Sequence, residues 1–133
     1  MGAMMRHPTY DIRERTVNDN TVIELSGELD LMASTELVAC LDAVCEAVPS
    51  RLVLDLRRVT FLDCSGLALL CRIRNRLAGG RGQLLLVLDD TRHRRLLRLT
   101  GLSDTFDIVT DVATALTRTS PPGRSDTSAD GGI

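Results

Sequence analysis

The sequence predicts a single α/β domain in which helices pack on a mixed β-sheet. Two short segments, residues 51–56 and 83–88, are apolar on both faces, as strands are when helices cover both sides of a sheet. The segment between them, residues 65–78, repeats leucine and isoleucine at helical spacing. Because a helix that joins two parallel strands forms a right-handed crossover, we expect both strands in one sheet.

A β-hairpin is predicted before the first of these buried strands. Residues 10–17 and 21–25 are strand-like, and they flank the turn-forming residues 18–20. Ser26 and Gly27 are expected to end the second strand of the hairpin.

Two further amphipathic helices are predicted from apolar spacing and from capping residues. The first begins behind a cap at Ser34 and stops at Pro49. The second follows the second buried strand, with Asp90 or Thr91 as its cap and Gly101 in a left-handed conformation at its end. The apolar residues that define these helices are Leu37, Leu41, Val44, Cys45 and Val48 in the first, and Leu96, Leu97 and Leu99 in the second.

The remainder of the domain is predicted to be a short strand and a last helix. The strand falls at residues 106–109, and Thr110 or Asp111 is placed to cap the helix. The predicted order of elements is therefore ββαβαβαβα, within a domain that spans residues 9–117.

Both ends of the chain are predicted to lie outside this domain. Residues 1–8 are interpreted as a flexible N-terminus that opens with a cloning remnant. Residues 118–133 are rich in Pro, Gly, Ser and Asp, and they contain too little apolar surface to offset the entropy of ordering. We therefore expect a disordered tail.

Composition narrows the classes of function. The 133 residues carry 16 basic and 18 acidic side chains, and a formal charge of −2 does not favour nucleic acid or anionic lipid as a partner. The absence of Lys excludes Lys-dependent phosphate loops and Schiff-base enzymes. Aromatic residues, at 2%, are too few to form stacking platforms. We expect a protein that is not an enzyme, binds no cofactor, and contacts neither nucleic acid nor a membrane directly.

Cysteine and histidine do not form a pattern that indicates a metal site. The four cysteines contain no CxxC pair, and the histidines are only His7 and His93. We interpret the cysteines as reduced thiols. Since no segment is typical of a signal peptide, we expect a cytoplasmic protein.

One segment invites a functional interpretation. Asp63, Cys64, Ser65 and Gly66 fall at the first turn of the predicted crossover helix. Free N–H groups and the positive end of the helix dipole favour a phosphorylated hydroxyl there. The alternative is that Ser65 or Asp63 is an N-cap and Gly66 allows close packing, and the local pattern alone favours this structural interpretation.

Other candidate chemistry is weaker. His7 and His93 are the only candidate bases to activate Ser65 or Cys64, so a nucleophile is disfavoured. Asp30, Asp55 and Asp63 are interpreted as caps or contacts, although they could meet at one sheet edge. The Gly-Gly-Arg-Gly segment at residues 79–82 follows a helix, so it predicts a helix stop rather than a phosphate loop. The cluster Arg92, His93, Arg94, Arg95 and Arg98 is interpreted as a solvated helix face.

Three motifs, taken in order, resemble the STAS domain of the bacterial anti-sigma factor antagonist family. They are SGELD at residues 26–30, DLRRVTFLDCSGL at residues 55–67 and LTGL at residues 99–102. The resemblance covers about residues 9–117. It implies a STAS-like fold, in which helices pack on a mixed sheet.

The resemblance also implies a regulatory switch. Members of the family bind an anti-sigma factor that is a serine kinase and thereby release the sigma factor. Phosphorylation of a serine in the middle motif, at the position of Ser65, switches this binding off, and a phosphatase restores it. Asp30 is implied to lie near the phosphoacceptor and to contact the partner. The other residues implied to bind the partner are Asp63, Cys64, Gly66 and Leu67.

The sequence departs from the family at Cys64, where the family often has Ser or Thr. Either the choice of phosphoacceptor is cleaner here, or the thiol adds redox sensitivity. Two other functions stay open: a scaffold component of a larger signalling assembly built on the same domain, and a nucleotide-binding module. A domain attached to an anion transporter is disfavoured, because the sequence contains no membrane segment.

The composition of the C-terminal tail gives a first prediction. Deletion of residues 119–133 should leave the melting temperature nearly unchanged, because the segment has almost no apolar side chains to bury. Scanning calorimetry of the full and shortened chains measures this. A drop of several degrees would mean that the tail docks on the domain.

Overall fold

The computed structural model describes residues 4–6, 9–18, 20–47, 51–80 and 82–117, so the predicted tail lies outside the described residues. Within these residues, six strands form one sheet, in the order β1-β2-β3-β4-β5-β6, and four helices connect or follow them. The strands are β1 (Met4–Arg6), β2 (Tyr10–Val17), β3 (Asn20–Leu29), β4 (Arg51–Leu62), β5 (Gln83–Val87) and β6 (Asp107–Val109). The helices are α1 (Leu31–Ala47), α2 (Cys64–Gly79), α3 (Thr91–Leu99) and α4 (Val112–Thr117).

The sheet is mixed, as predicted. Strands β1, β2 and β3 pair antiparallel, whereas β3, β4, β5 and β6 pair parallel. The sequence did not predict β1. Met4–Arg6 pairs with residues 11–13 of β2, so the expectation of a flexible N-terminus is corrected for these three residues, and the order of elements becomes βββαβαβαβα.

Helices cover both faces of the sheet, which explains the continuous apolar runs in its central strands. Leu84, Leu86 and Leu88 join the larger core, beneath α1, α2 and α3. Leu85 and Val87 point the other way, into a smaller core that includes residues of α4. A strand that is buried on both faces therefore shows no alternation of apolar and polar residues.

The start of α1 differs from the prediction. Asp30 comes directly after β3, and its Oδ1 accepts a hydrogen bond from the backbone N–H of Ala33 at 2.9 Å. Asp30 therefore caps α1, and Ser34 lies buried within the helix. The helix ends at Ala47, and the predicted stop at Pro49 lies outside the described residues.

Both strands that lead to the helices α1 and α2 are longer than predicted. Ser26 and Gly27 do not end β3. The pairing of β3 with β4 has two irregularities around these residues, and the strand continues through them to Leu29. Gly27 has φ of +90°, a left-handed conformation that favours glycine. A Cβ atom at this position would collide with the backbone of Thr9 and Tyr10.

Helix α3 begins and ends as predicted, but one of its faces was misassigned. Asp90 caps it, and Gly101 has φ of +78° just beyond its end. His93 was predicted to lie on a solvated face, yet it is buried, with its Nε2 2.8 Å from the carbonyl oxygen of Val59. Strand β4 extends past its last pairing with β5 at Asp55. Beside this extension, the His93 ring is the hydrogen-bond partner of the Val59 carbonyl group.

The predicted stop at the end of α2 and the predicted cap of α4 are confirmed. Gly80 caps the end of α2, so residues 79–82 include a helix stop and not a phosphate loop. Asp111 Oδ1 accepts a hydrogen bond from Thr114 N at 2.7 Å at the start of α4.

The position of Gly27 gives a stability prediction. Gly27→Ala should lower the free energy of unfolding by about 2 to 4 kcal/mol, because the left-handed conformation and the collision with backbone atoms add to each other. Urea unfolding followed by circular dichroism measures the change. Gly79→Ala is the control, since a Cβ atom there meets nothing within 4 Å, and it should leave stability unchanged or slightly raised. Equal stability of both variants would contradict the argument.

Candidate functional site

The candidate site lies where β3 and β4 end side by side. The two strands are parallel, and their last residues, Leu29 and Leu62, are paired in register. The next residue in each case is an aspartate, Asp30 after β3 and Asp63 after β4, and each opens a helix. Parallel pairing therefore brings two acidic caps from distant parts of the sequence to one edge of the sheet.

Asp63 is the N-cap of α2. Its Oδ1 accepts hydrogen bonds from the backbone N–H groups of Ser65, at 2.9 Å, and Gly66, at 3.2 Å. This favours the structural interpretation of Asp63, whereas Ser65 lies inside the helix and does not cap it. The first-turn N–H groups that could have received a phosphate already have an acceptor, so this helix start is not an open anion site.

Ser65 itself is available at the surface. It is partly exposed, and its hydroxyl makes no hydrogen bond with any residue in the described ranges. The neighbouring Cys64 is exposed. All four cysteines are unpaired, and burial raises the pKa of the Cys40 and Cys45 thiols.

Gly66 and Leu67 support the site from inside. A Cβ atom on Gly66 would lie 2.5 Å from Leu62 Cδ1 and 2.9 Å from the carbonyl oxygen of Leu29, so glycine lets the first turn of α2 pack against the ends of both strands. Leu67 is only 3% exposed and belongs to the larger core. Of the residues that the family resemblance assigns to partner binding, these two are buried.

Three exposed apolar residues lie at the same edge, and no sequence pattern predicted them. Leu31 is 67% exposed, and Met32 and Phe61 are each 46% exposed. Together with Glu28, Asp30 and Asp63 they line a shallow surface hollow, which we call the acidic-apolar depression. Leu31 and Met32 precede Ser34, which was predicted as the cap of α1. They were therefore assigned to no helix face, and no sequence signal marked them as surface residues.

The charge of the depression has one sign. Three of its six lining residues are carboxylates and none is basic. A phosphate on the nearby Ser65 would add a further negative charge beside Asp63, which is already bonded to the Ser65 backbone.

Asp55, the third predicted carboxylate, is not part of this site. It is buried and bonded to Arg57, with Oδ1 3.0 Å from Nε and Oδ2 2.9 Å from Nη2. This hydrogen bond raises the pKa of the Arg57 guanidinium. Asp55 does not line the depression. Of the three predicted carboxylates, only Asp30 and Asp63 meet at this edge, so Asp55 forms no acid-base pair with either of them.

The described ranges contain neither a metal site nor a membrane-spanning helix. No group of His, Cys, Asp and Glu side chains has the geometry to hold a metal ion. Within the same residues, no helix has the length and hydropathy of a membrane span.

Comparison with known proteins identifies the family. The STAS domain family matches residues 11–115, so the chain belongs to the STAS domain family. The anti-sigma-F factor antagonist RsfB of Mycobacterium tuberculosis is 31% identical over 100 residues, which are 75% of this chain and 81% of RsfB.

Solved structures agree with this assignment. An anti-sigma factor antagonist from Mycobacterium paratuberculosis has a TM-score of 0.76 and 30% identity, over 85% of this chain and 97% of its own. The anti-sigma factor antagonist SpoIIAA in its unphosphorylated form has a TM-score of 0.66 and 22% identity, over 78% of this chain and 92% of its own. SpoIIAA, at this lower identity, supports the fold alone. The family resemblance and the fold class predicted from the sequence are both confirmed.

The role of Asp63 as a cap is open to a direct test. Asp63→Ala should cost about 1 kcal/mol of stability, because two N–H groups lose their acceptor, while Asp63→Asn should retain most of it. Chemical denaturation of both variants measures the difference. Asp104→Ala removes an exposed carboxylate from a turn and serves as the matched control, with no expected loss. If all three variants were equally stable, the cap would contribute nothing.

Proposed function

We propose that this chain is an anti-sigma factor antagonist and acts as a binding protein, not as an enzyme. Its unphosphorylated form binds an anti-sigma factor that is a serine kinase, and the sigma factor is released. The kinase phosphorylates Ser65 and thereby weakens the complex, and a phosphatase restores binding. The chain acts in the cytoplasm, where transcription takes place. The likeness to RsfB, an anti-sigma-F factor antagonist, supports the first step of this proposal.

The observation that carries the proposal is the position of Ser65 beside the acidic-apolar depression. Three large apolar side chains are exposed together at this edge, although the rest of the described surface exposes only one other, Leu99. Exposed apolar residues that cluster within a polar rim are typical of protein-binding surfaces. A free hydroxyl next to such a surface is accessible to a kinase that docks there.

The effect of phosphorylation follows from the local electrostatics. A phosphate adds about −1.5 to −2 charge at pH 7. In the isolated domain this charge remains in water, so the fold tolerates it. In the complex it would be desolvated near Asp63 and Asp30, without a basic residue in the depression to compensate it. An uncompensated buried charge costs about 3 to 5 kcal/mol, which is far more than the stabilisation that the helix dipole gives a negative charge.

Cys64 makes the proposed acceptor unambiguous. The residue before Ser65 carries a thiol and no hydroxyl, so a kinase that reaches this turn finds a single serine. The switch therefore depends on one residue.

Titration calorimetry against a candidate anti-sigma kinase tests the proposal. Phosphorylated chain should bind about two to three orders of magnitude more weakly than unmodified chain, at 1.4 kcal/mol per decade, with little change in melting temperature. Ser65→Ala should bind and resist phosphorylation, and Ser65→Asp should lose part of the affinity.

Ser103→Asp is the matched control for added charge. Residue 103 precedes β6, at the opposite edge of the parallel strands, so this variant should bind like the unmodified chain. Mass spectrometry of the peptide that contains Ser65 identifies the acceptor. Equal affinity of the phosphorylated and unmodified forms would falsify the switch.

A further inference from the structure

Helix α3 has an exposed face that the proposed function does not use. Its inner side buries His93 and Leu97. Its outer side carries Arg95, Arg98 and Leu99, and Leu99 is 73% exposed, the highest value for a large apolar residue in the described ranges. We call Arg95, Arg98 and Leu99 the arginine ridge.

The two arginines of the ridge are uncompensated within the described part of the chain. On the same helix, Arg92 pairs with Asp90 at 3.0 Å, and Arg94 donates to the carbonyl oxygen of Leu88 at 3.2 Å. Arg95 and Arg98 have no such ion pair or hydrogen bond. This is notable in a chain in which acidic side chains outnumber basic ones, 18 to 16.

The acidic-apolar depression is the complement of this ridge. It presents the carboxylates of Glu28 and Asp30 around exposed Met32 and Phe61. The ridge presents two guanidinium groups beside one exposed leucine. Both surfaces combine an apolar centre with a charged border, and the borders have opposite signs. Such complementarity steers association and fixes the register of two surfaces.

We propose that the arginine ridge of one copy of this chain docks in the acidic-apolar depression of a second copy. Leu99 packs against Met32 and Phe61, while Arg95 and Arg98 face the carboxylates of the depression. Because rim charges are screened by salt and the apolar contact is small, the association is weak and salt-sensitive. If the proposed function holds, a second copy covers the surface that binds the anti-sigma partner and competes with that partner.

Sedimentation velocity on the purified full chain tests the contact. At low ionic strength the weight-average sedimentation coefficient should rise with protein concentration, and this rise should disappear at about 1 M salt, where the screening length is only about 3 Å. Arg95→Glu with Arg98→Glu should abolish the rise, and Glu28→Arg should reduce it, because Asp30 and Asp63 remain in the depression. Leu99→Ser should weaken the association at least threefold without any change in charge.

Mixing the two charge-reversed variants is the decisive step. The variant with Glu at 95 and 98 keeps the acidic depression, and the Glu28→Arg variant keeps the arginine ridge. Only in the mixture does an unmodified ridge meet an unmodified depression. Association should therefore return in the mixture. Arg13→Glu reverses an exposed charge on β2 and is the matched control, which should associate like the unmodified chain.

The outcomes separate this proposal from the proposed function. A chain that stays monomeric at every concentration in low salt, or a mixture that fails to associate, would overturn the docking of two copies. Both outcomes are measured without the anti-sigma partner, so neither bears on the affinity of the chain for a kinase. Loss of association in Arg13→Glu would also count against the ridge, because it would show a general effect of net charge.

Discussion

The parallel pairing of β3 with β4 is the constraint on which the rest of the site depends. The register places Leu29 opposite Leu62, so the chain leaves the sheet twice at the same edge. At each exit an aspartate caps the helix that follows. A slip of one residue in this register would turn the strand faces over and expose the core, so the hydrophobic pattern of both strands holds the two caps together.

Packing at the start of α2 converts this register into a surface with defined chemistry. Gly66 lets the helix approach Leu29 and Leu62 closely, and the cap at Asp63 uses the N–H groups of the first turn. Ser65 is thereby left with a free hydroxyl in an acidic environment rather than in an anion site. In the proposed complex, where a partner excludes water, a phosphate on Ser65 would lie beside this acidic cap without a basic residue in the depression to compensate it.

Several features were predictable because they depend on neighbouring residues. The two buried strands, the crossover helix and the caps at Asp90 and Asp111 follow from apolar spacing and from side chains that bond their own backbone. Predictions failed where distant contacts decide. Ser26 and Gly27 look like a strand end, but pairing with β4 continues the strand through them. His93 looks like part of a charged face, but β4 continues beyond its pairing with β5, and the carbonyl oxygen of Val59 there gives His93 a buried partner.

The sequence by itself determined the α/β fold, the family, and the placement of Asp63, Cys64 and Ser65 at the first turn of a helix, because these follow from local periodicity and from a continuous motif. Only the tertiary structure decided which side chains share a surface. Asp30 and Phe61 are 31 positions apart, and they meet because two parallel strands end in register. Exposure of Leu31, Met32 and Phe61 likewise depends on what packs around each residue, and a linear pattern does not contain that information.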